Sequence, residues 1–398
     1  MLAGFGSGSY RPRRGARVDL AVLTGHDRFA TLDYARARAL GIGTVRESAR
    51  WPVVEQRAWR YDFGVLLPWV RAARRLDIDV VWTLLDGCWP EDIAPMEPAL
   101  VRRLEMFARA FARFLREETD RAPVIVPVDQ ITARAWLGGE LARAEPYLEE
   151  RGFELQAQLV RAAIAAADAF RDVTPEARIL CVEPLFHVAP SPDRPEDLDG
   201  ARAAAARRFA ALDMLCGRAW PQLGGEPRHL DLLGVTVYPH SQWYYGGPKF
   251  PGPPIEPDAP AWRPLRELIV DLACRYYDRP VAIVGTGRDG PLGPSWLRYV
   301  CREARGAMFA GATVPCVGLA PAVACTAQPD ERGACEGIWG DADEAGRRTT
   351  NLALAEEIAM QRACFDRFDT SLQAARAAAA LPETAAPAAA VALHRAPG

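Results

Sequence analysis

The sequence predicts a (β/α)8 barrel, built as a single domain over residues 1–369, and three observations carry that expectation. Helical segments with apolar residues three and four apart recur along the chain. Short β-branched or apolar runs fall between them, and strands that alternate with helices imply βα units and a parallel sheet. About eight such units fit into 398 residues, which favours a sheet closed on itself over an open one.

In chain order, the first strand is expected in GFGSGSY or VDLAVLTGH, followed by the helix TLDYARARAL. The second unit pairs GTVRESARW with GVLLPWVRAARRL, and the third IDVVWTLLDG with ALVRRLEMFARAFARFLREE. PVIVPVDQI leads to ELQAQLVRAAIAAADAF, and RILCVEPLFHV to ARAAAARRFAALDMLCGRAW. DLLGVTVYPH precedes RPLRELIVDLACRYY, PVAIVGTG precedes SWLRYVCREARGAMFAGA, and VPCVGLAPAV precedes NLALAEEIAMQRACFDRF. An open doubly wound sheet is the alternative, but its phosphate-binding glycine motif is only imitated by Gly4-Phe5-Gly6-Ser7-Gly8, which runs into Tyr10 and an arginine cluster rather than a helix. The Ala/Pro-rich tail, residues 370–398, is expected to be disordered because it has almost no large apolar side chains.

Composition narrows the function classes. With 49% hydrophobic and 25% charged residues the chain can bury a large core. The net charge of -3, with arginines interspersed among acids, argues against a nucleic-acid footprint. No apolar run reaches the roughly 20 residues that cross a bilayer, and the first residues lack the order of a signal peptide, so a cytoplasmic protein with no membrane partner is expected. Nine scattered cysteines without a CxxC pair suit reduced thiols. Cys316, Cys325 and Cys335 do not have a recognised ligand spacing, and neither metal nor cofactor is expected.

In such a barrel, chemistry sits at the carboxyl ends of the strands. Those ends offer Arg46 and Glu47 with Trp51 beyond, Asp86 with Trp89 beyond, and Asp129-Gln130. They continue with Glu183 and His187, then Tyr238 and His240 with Trp243 beyond, then Gly285-Thr286-Gly287 and Ala320-Pro321. Asp86, Asp129 and Glu183 come from consecutive strands, and carboxylates gathered in a pocket raise one another's pKa and prepare an acid/base pair. The purely structural alternative has Asp129 capping the following helix and Glu183 paired with an arginine such as Arg46. His187 is a candidate proton shuttle or a packing residue. Glu140, on the loop after strand four, is a candidate acid or a solvated side chain. The tryptophans suit stacking on a flat ligand or packing beneath loops. The segment HSQWYYGGPKFPGPPIEPDAPAW reads as a lid, a partner-binding loop or a rigid excursion.

Taken together, GIGTVRESARWPVVE followed by YDF, DVVWTLLDGCWPEDI, PVIVPVDQITARAWLGGE, LDLLGVTVYPHSQW, RPVAIVGTG and GIWGD resemble the retaining (β/α)8 glycoside hydrolases of the β-glucosidase type and their bacterial relatives. The likeness runs from about Gly4 to Trp339. It implies two glutamates: an acid/base after an asparagine at the end of strand four, and a nucleophile in a Glu-Thr-Gly turn ending strand seven. The two must stand about 5 to 5.5 Å apart, one protonating the leaving oxygen while the other captures the anomeric carbon. At the matching positions this chain has Gln130 after Asp129, and Gly285 before Thr286. An amide delivers no proton at neutral pH, and glycine has no side chain to form a glycosyl-enzyme. Strand three ends on Asp86 where the family has a sugar-binding histidine, and strand six reads Thr236-Val237-Tyr238 where the family has Asn-Tyr-Tyr. Strand eight, which leads into a polar and aromatic platform in the family, here reads Ala320-Pro321-Ala322-Val323-Ala324-Cys325, while Arg46 and the tryptophans Trp51, Trp89 and Trp243 are kept.

The expectation is therefore a pseudoglycosidase. Its mouth would bind a small sugar-like or other metabolite through Arg46, Glu47, Trp51, Trp89, His187, Tyr238 and Trp243, without glycoside hydrolysis and with a protein partner as a further possibility. The alternative is a repurposed enzyme that uses Asp86, Asp129 or Glu183 for acid/base work.

Overall fold

In the computed structural model, which describes residues 1–249, 251–325 and 336–379, eight parallel strands close into a barrel. They are β1 (Leu2–Gly4), β2 (Thr44–Ser48), β3 (Asp79–Leu85), β4 (Val124–Val128), β5 (Arg178–Pro184), β6 (Leu232–Thr236), β7 (Val281–Thr286) and β8 (Val317–Leu319). Neighbours in sequence are neighbours in the sheet, and Leu2 closes the ring by pairing with Gly318 of β8 on one side and Thr44 of β2 on the other. Helices α1 (His26–Ala39), α2 (Leu67–Arg75), α3 (Pro98–Glu118), α4 (Gly152–Arg171), α5 (Ala210–Leu215), α6 (Leu265–Arg275), α7 (Gly293–Phe309) and α8 (Leu352–Ala379) follow the strands in turn.

The division of apolar residues explains the closure. Leu2, Val81, Val126, Leu180, Val182, Ala282 and Val284 fill the barrel interior as one buried cluster. The opposite faces of the strands meet the helices in the larger cluster, where Trp82 packs edge-on against Phe111 of α3 and Phe111 against Phe170 of α4. Strands apolar on both faces need this double cover. Each large side chain so buried contributes about 1.5–3 kcal/mol relative to exposure.

Three expectations are corrected in detail. The first barrel strand is Leu2–Gly4, so it only touches the start of GFGSGSY; Ser9–Tyr10 instead pairs antiparallel with Val18–Asp19. VDLAVLTGH is not a barrel strand, because Asp19 accepts a hydrogen bond from Ala21 N at 3.1 Å and starts the helical turn Leu20–Leu23. The single helix expected over 201–220 is two, Leu198–Ala206 and α5, joined by a tight turn at Arg207–Phe209. At the carboxyl end α8 continues to Ala379, and residues 380–398 lie outside the described residues.

The long excursion after β6 carries two strands, Gln242–Tyr245 and Pro251–Pro254, which join His187–Ala189 in a separate three-stranded sheet. Gln242 fixes its base by donating to Arg263 O at 2.7 Å and accepting from Arg263 N at 3.0 Å. No helix among the described residues is long and apolar enough to cross a membrane.

Candidate functional site

The end of β4 shows how the mouth is built. Gln130 holds a left-handed backbone (φ 50°), which a non-glycine residue adopts only when its surroundings enforce it. Here Gln130 N donates to Val182 O at 3.0 Å. The chain then runs through the short helix Ile131–Arg134 into a wide π-helical turn, Ala135–Glu140. Thr236 on β6 joins this strand end to β7, its hydroxyl donating to Gln130 Oε1 at 3.4 Å. A Cβ on Gly285 would lie 3.1 Å from the Thr236 methyl and 3.3 Å from the Tyr238 hydroxyl. Gln130 and Gly285 therefore both border Thr236, and a Cβ at 285 would fit only if the Thr236 methyl and the Tyr238 hydroxyl gave by a few tenths of an ångström. The β7 register also shifts between Ile283 and Gly285, and Thr286 is locked by donating to Val237 O at 2.6 Å and accepting from Trp296 Nε1 at 2.9 Å.

The strand-end carboxylates divide into distinct roles. Asp129 pairs with Arg46 (Nη2 to Oδ1, 2.5 Å), while Arg46 Nε donates to Thr83 Oγ1 at 3.2 Å. Glu183 is buried and accepts from Thr132 N at 3.0 Å, so it caps the helix that follows β4. The two structural roles considered from sequence are thus exchanged: Asp129 takes the arginine and Glu183 the helix. Burial drives the Glu183 carboxyl up to about 8, against the Thr132 hydrogen bonds and with the Asp129 charge adding to the rise. Asp86 packs against Gly8, where a Cβ would come within 2.7 Å of its carboxylate. Its pKa is pushed up to about 6, first by burial and then by the Asp129 charge, with Arg46 and Arg134 opposing.

Asp86, Asp129 and Gln130 line a cleft of about 1160 Å³ at the carboxyl ends of β3 and β4. Its other wall comes from the loop after β1 and from residues 142–147, and it includes Arg11, Arg13, Arg134, Arg143 and Glu145. Glu145 accepts from Arg11 Nη1 at 3.0 Å, and burial pushes its carboxyl up to about 7 against the charges of Arg11, Arg134 and Arg17. Sequence reading missed Glu145 and singled out Glu140 on the same loop. Glu140 instead accepts from Gly152 N at 3.3 Å, at the start of α4. Nothing in the local pattern separates these two glutamates, but the arginine cluster RPRR after Tyr10 was a visible signal for the opposite wall.

Several expected ligand contacts lie elsewhere. Trp51 is 1% exposed, donates to Glu55 Oε2 at 2.6 Å and stacks on Phe107 of α3, which places it in the core. Trp89 is likewise buried in the core. Glu47 is buried and accepts from Tyr34 Oη at 2.9 Å and from Ser7 Oγ, and it pairs with His26 at 2.9 Å. Trp243 stacks on Phe186 with ring centroids 5.1 Å apart, in the small side sheet. His187 belongs to that sheet too, and burial first, then Arg263 and Arg208, lowers its pKa to about 4, so it is neutral at pH 7. Tyr238 stacks on His240 at 5.7 Å and stays at the mouth beside Gly285.

Among the described residues no group of three or more His, Cys, Asp or Glu is placed to hold a metal ion. Cys335 lies outside the described residues.

No protein-family model matches the chain, and no curated protein matches it. Solved structures do. The AHE enzyme from Alicyclobacillus herbarius superposes with a TM-score of 0.71 at 16% identity, covering 87% of this chain and 89% of that one. A β-glucosidase from Thermotoga maritima in complex with glucoimidazole gives a TM-score of 0.70 at 15% identity over 84% of this chain and 86% of that one. The family 1 β-glucosidase from the same organism gives 0.69 at 14% identity over the same shares. At these identities the likeness establishes the fold, a glycosidase-like (β/α)8 barrel.

Proposed function

We propose that this chain is a pseudoglycosidase: a β-glucosidase-like barrel that binds a small sugar-like or other metabolite at its mouth and does not hydrolyse glycosides through a glycosyl-enzyme. The observation that carries this reading is the convergence of Gln130 and Gly285 on Thr236. A retaining hydrolase needs a proton donor and a carboxylate nucleophile across such a space. Here one side offers an amide, and the other has no side chain and no room for one without moving Tyr238 and Thr236. The expected result is that purified protein releases no chromophore from activated aryl β-glycosides above the buffer rate. Release that follows saturation kinetics and is lost in Asp86→Asn, Asp129→Asn or Glu183→Gln would contradict it.

A second reading, a repurposed acid/base enzyme, is favoured by one specific feature. The cleft holds two carboxyls, Asp86 and Glu145, with pKa values raised to about 6 and about 7, the range in which a group both takes and gives a proton at neutral pH. Of the three carboxylates considered from sequence, Asp86 is the one that fits this role. Asp129 is held by Arg46, and Glu183 is buried beneath the helix it caps.

A further inference from the structure

The cleft beside β3 and β4 is lined by four arginines, Arg11, Arg13, Arg134 and Arg143, against three acids, Asp86, Asp129 and Glu145, and Arg46 on Asp129 adds a fifth cation. Asp129 is matched by Arg46 and Glu145 by Arg11. Arg13 and Arg134 remain on the wall with no ion pair among the described residues. Arg134 is also rigid: Nε donates to Asp129 O at 2.6 Å and Nη1 to Gly87 O, so two carbonyls fix the guanidinium, whose charge reaches Asp86 and Glu145 without a direct ion pair to either. Arg13 is exposed, with its guanidinium 5.8 Å from the centre of the Tyr147 ring.

An independent observation lies on the same wall. The Glu145 side chain is 9% exposed, and its Oε2 is buried with no hydrogen-bond partner among the described residues. A buried carboxyl oxygen left unmatched costs free energy that a bound partner recovers. Burial favours its protonated form, which is a hydrogen-bond donor. A planar guanidinium held in place and a carboxyl O–H are the complement of an oxyanion such as phosphate or carboxylate.

We propose that this cleft binds a small molecule through an oxyanion group, a phosphate or a carboxylate, taken by Arg134 and Arg13 and hydrogen-bonded by Glu145. The assignment rests on the reading of the mouth as a ligand site and adds the chemical class of the ligand.

The test is a thermal-shift and calorimetric titration of the full chain with inorganic phosphate, glucuronate and neutral glucose, at ionic strength matched with sodium chloride. At least one of the two anions is expected to raise Tm and bind, with glucose at the same concentration having a smaller effect. Arg13→Gln and Arg134→Gln are each expected to weaken that binding about tenfold, the loss of one charge-assisted contact. Arg347→Gln, at an exposed arginine paired with Asp343, serves as the control and should leave binding unchanged. Phosphate binding more tightly assigns a phosphorylated ligand, and glucuronate a carboxylated one. Arg13 is exposed, so its variant keeps the test open if Arg134→Gln fails to fold. Glucose binding as well as both anions, no binding by either anion, or anion binding unchanged in both variants would overturn the proposal. None of those results bears on the absence of glycoside hydrolysis, which is tested separately by aryl-glycoside release.

Discussion

Position 285 concentrates the account at the scale of one residue. A Cβ there meets the Thr236 methyl at 3.1 Å and the Tyr238 hydroxyl at 3.3 Å, so any side chain requires both neighbours to give by a few tenths of an ångström. Gly285→Glu together with Gln130→Glu is therefore expected not to create a glycosidase: aryl-glycoside release should stay at background, and stability should fall by about 1–3 kcal/mol from overpacking in chemical denaturation. Arg46 offers a second test. Arg46→Gln leaves Asp129 without its cation in a low-dielectric setting, with an expected loss of about 3 kcal/mol, and adding Asp129→Asn should restore much of it. If the two losses simply add, the pair is not coupled. Glu183 gives the pH dependence at this scale. The folded chain keeps the Glu183 proton up to about 8, whereas an unfolded chain releases it near 4.5, so this group lowers stability progressively as pH rises through that window. Glu183→Gln keeps an acceptor for Thr132 N and should be more stable than the parent above pH 8 and similar to it below pH 4.5, as followed by Tm.

At the scale of elements, α1, β2 and the carboxyl-terminal strand Arg348–Thr350 are joined by a fully buried charge network. His26 lies between Asp33 (2.8 Å) and Glu47 (2.9 Å), and Arg348 Nε donates to Asp33 Oδ1 at 2.7 Å. Burial opposes the charged imidazole, but the two carboxylates together outweigh it and raise the His26 pKa from 6.5 to about 9. The stabilisation this provides is complete below pH 6.5 and is lost as pH rises through about 9. Replacing His26 with Gln should remove that slope and reduce stability most in acid and neutral solution, as urea titrations at a series of pH values would show; an unchanged slope would mean that His26 is neutral in the fold. Nothing in HDRFATLDYARARA marks His26 as a buried cation. Its partners lie 7 and 21 residues away, and helix periodicity carries no information about charges that meet across a strand.

For the whole molecule, the barrel was legible because its signal is repeated: each βα unit states the same pattern, and one misplaced strand does not alter the ring. The exception is the first unit, where β1 is only three residues long and the glycine-rich run that follows it carries no strand periodicity. The strand ends were legible for the same reason, since Asp86, Asp129, Gln130 and Gly285 each follow an apolar run that sequence can locate. What sequence could not supply was the direction of large side chains near those ends. Trp51 turns onto Phe107 of the helical layer, Trp89 is buried in the larger core cluster, and Glu47 joins the His26 network. Neither could it supply the loop contacts that bring Arg11 of the first unit to Glu145 of the fourth, 134 residues away.

The central claim is that no side chain at this mouth captures an anomeric carbon. Its most direct test is intact-protein mass spectrometry after prolonged incubation with an activated fluorosugar that traps glycosyl-enzymes of retaining β-glucosidases. An unchanged protein mass is expected. A mass gain of one fluoroglycosyl group, mapped by peptide analysis to a strand-end carboxylate such as Asp86 or Asp129, would contradict it.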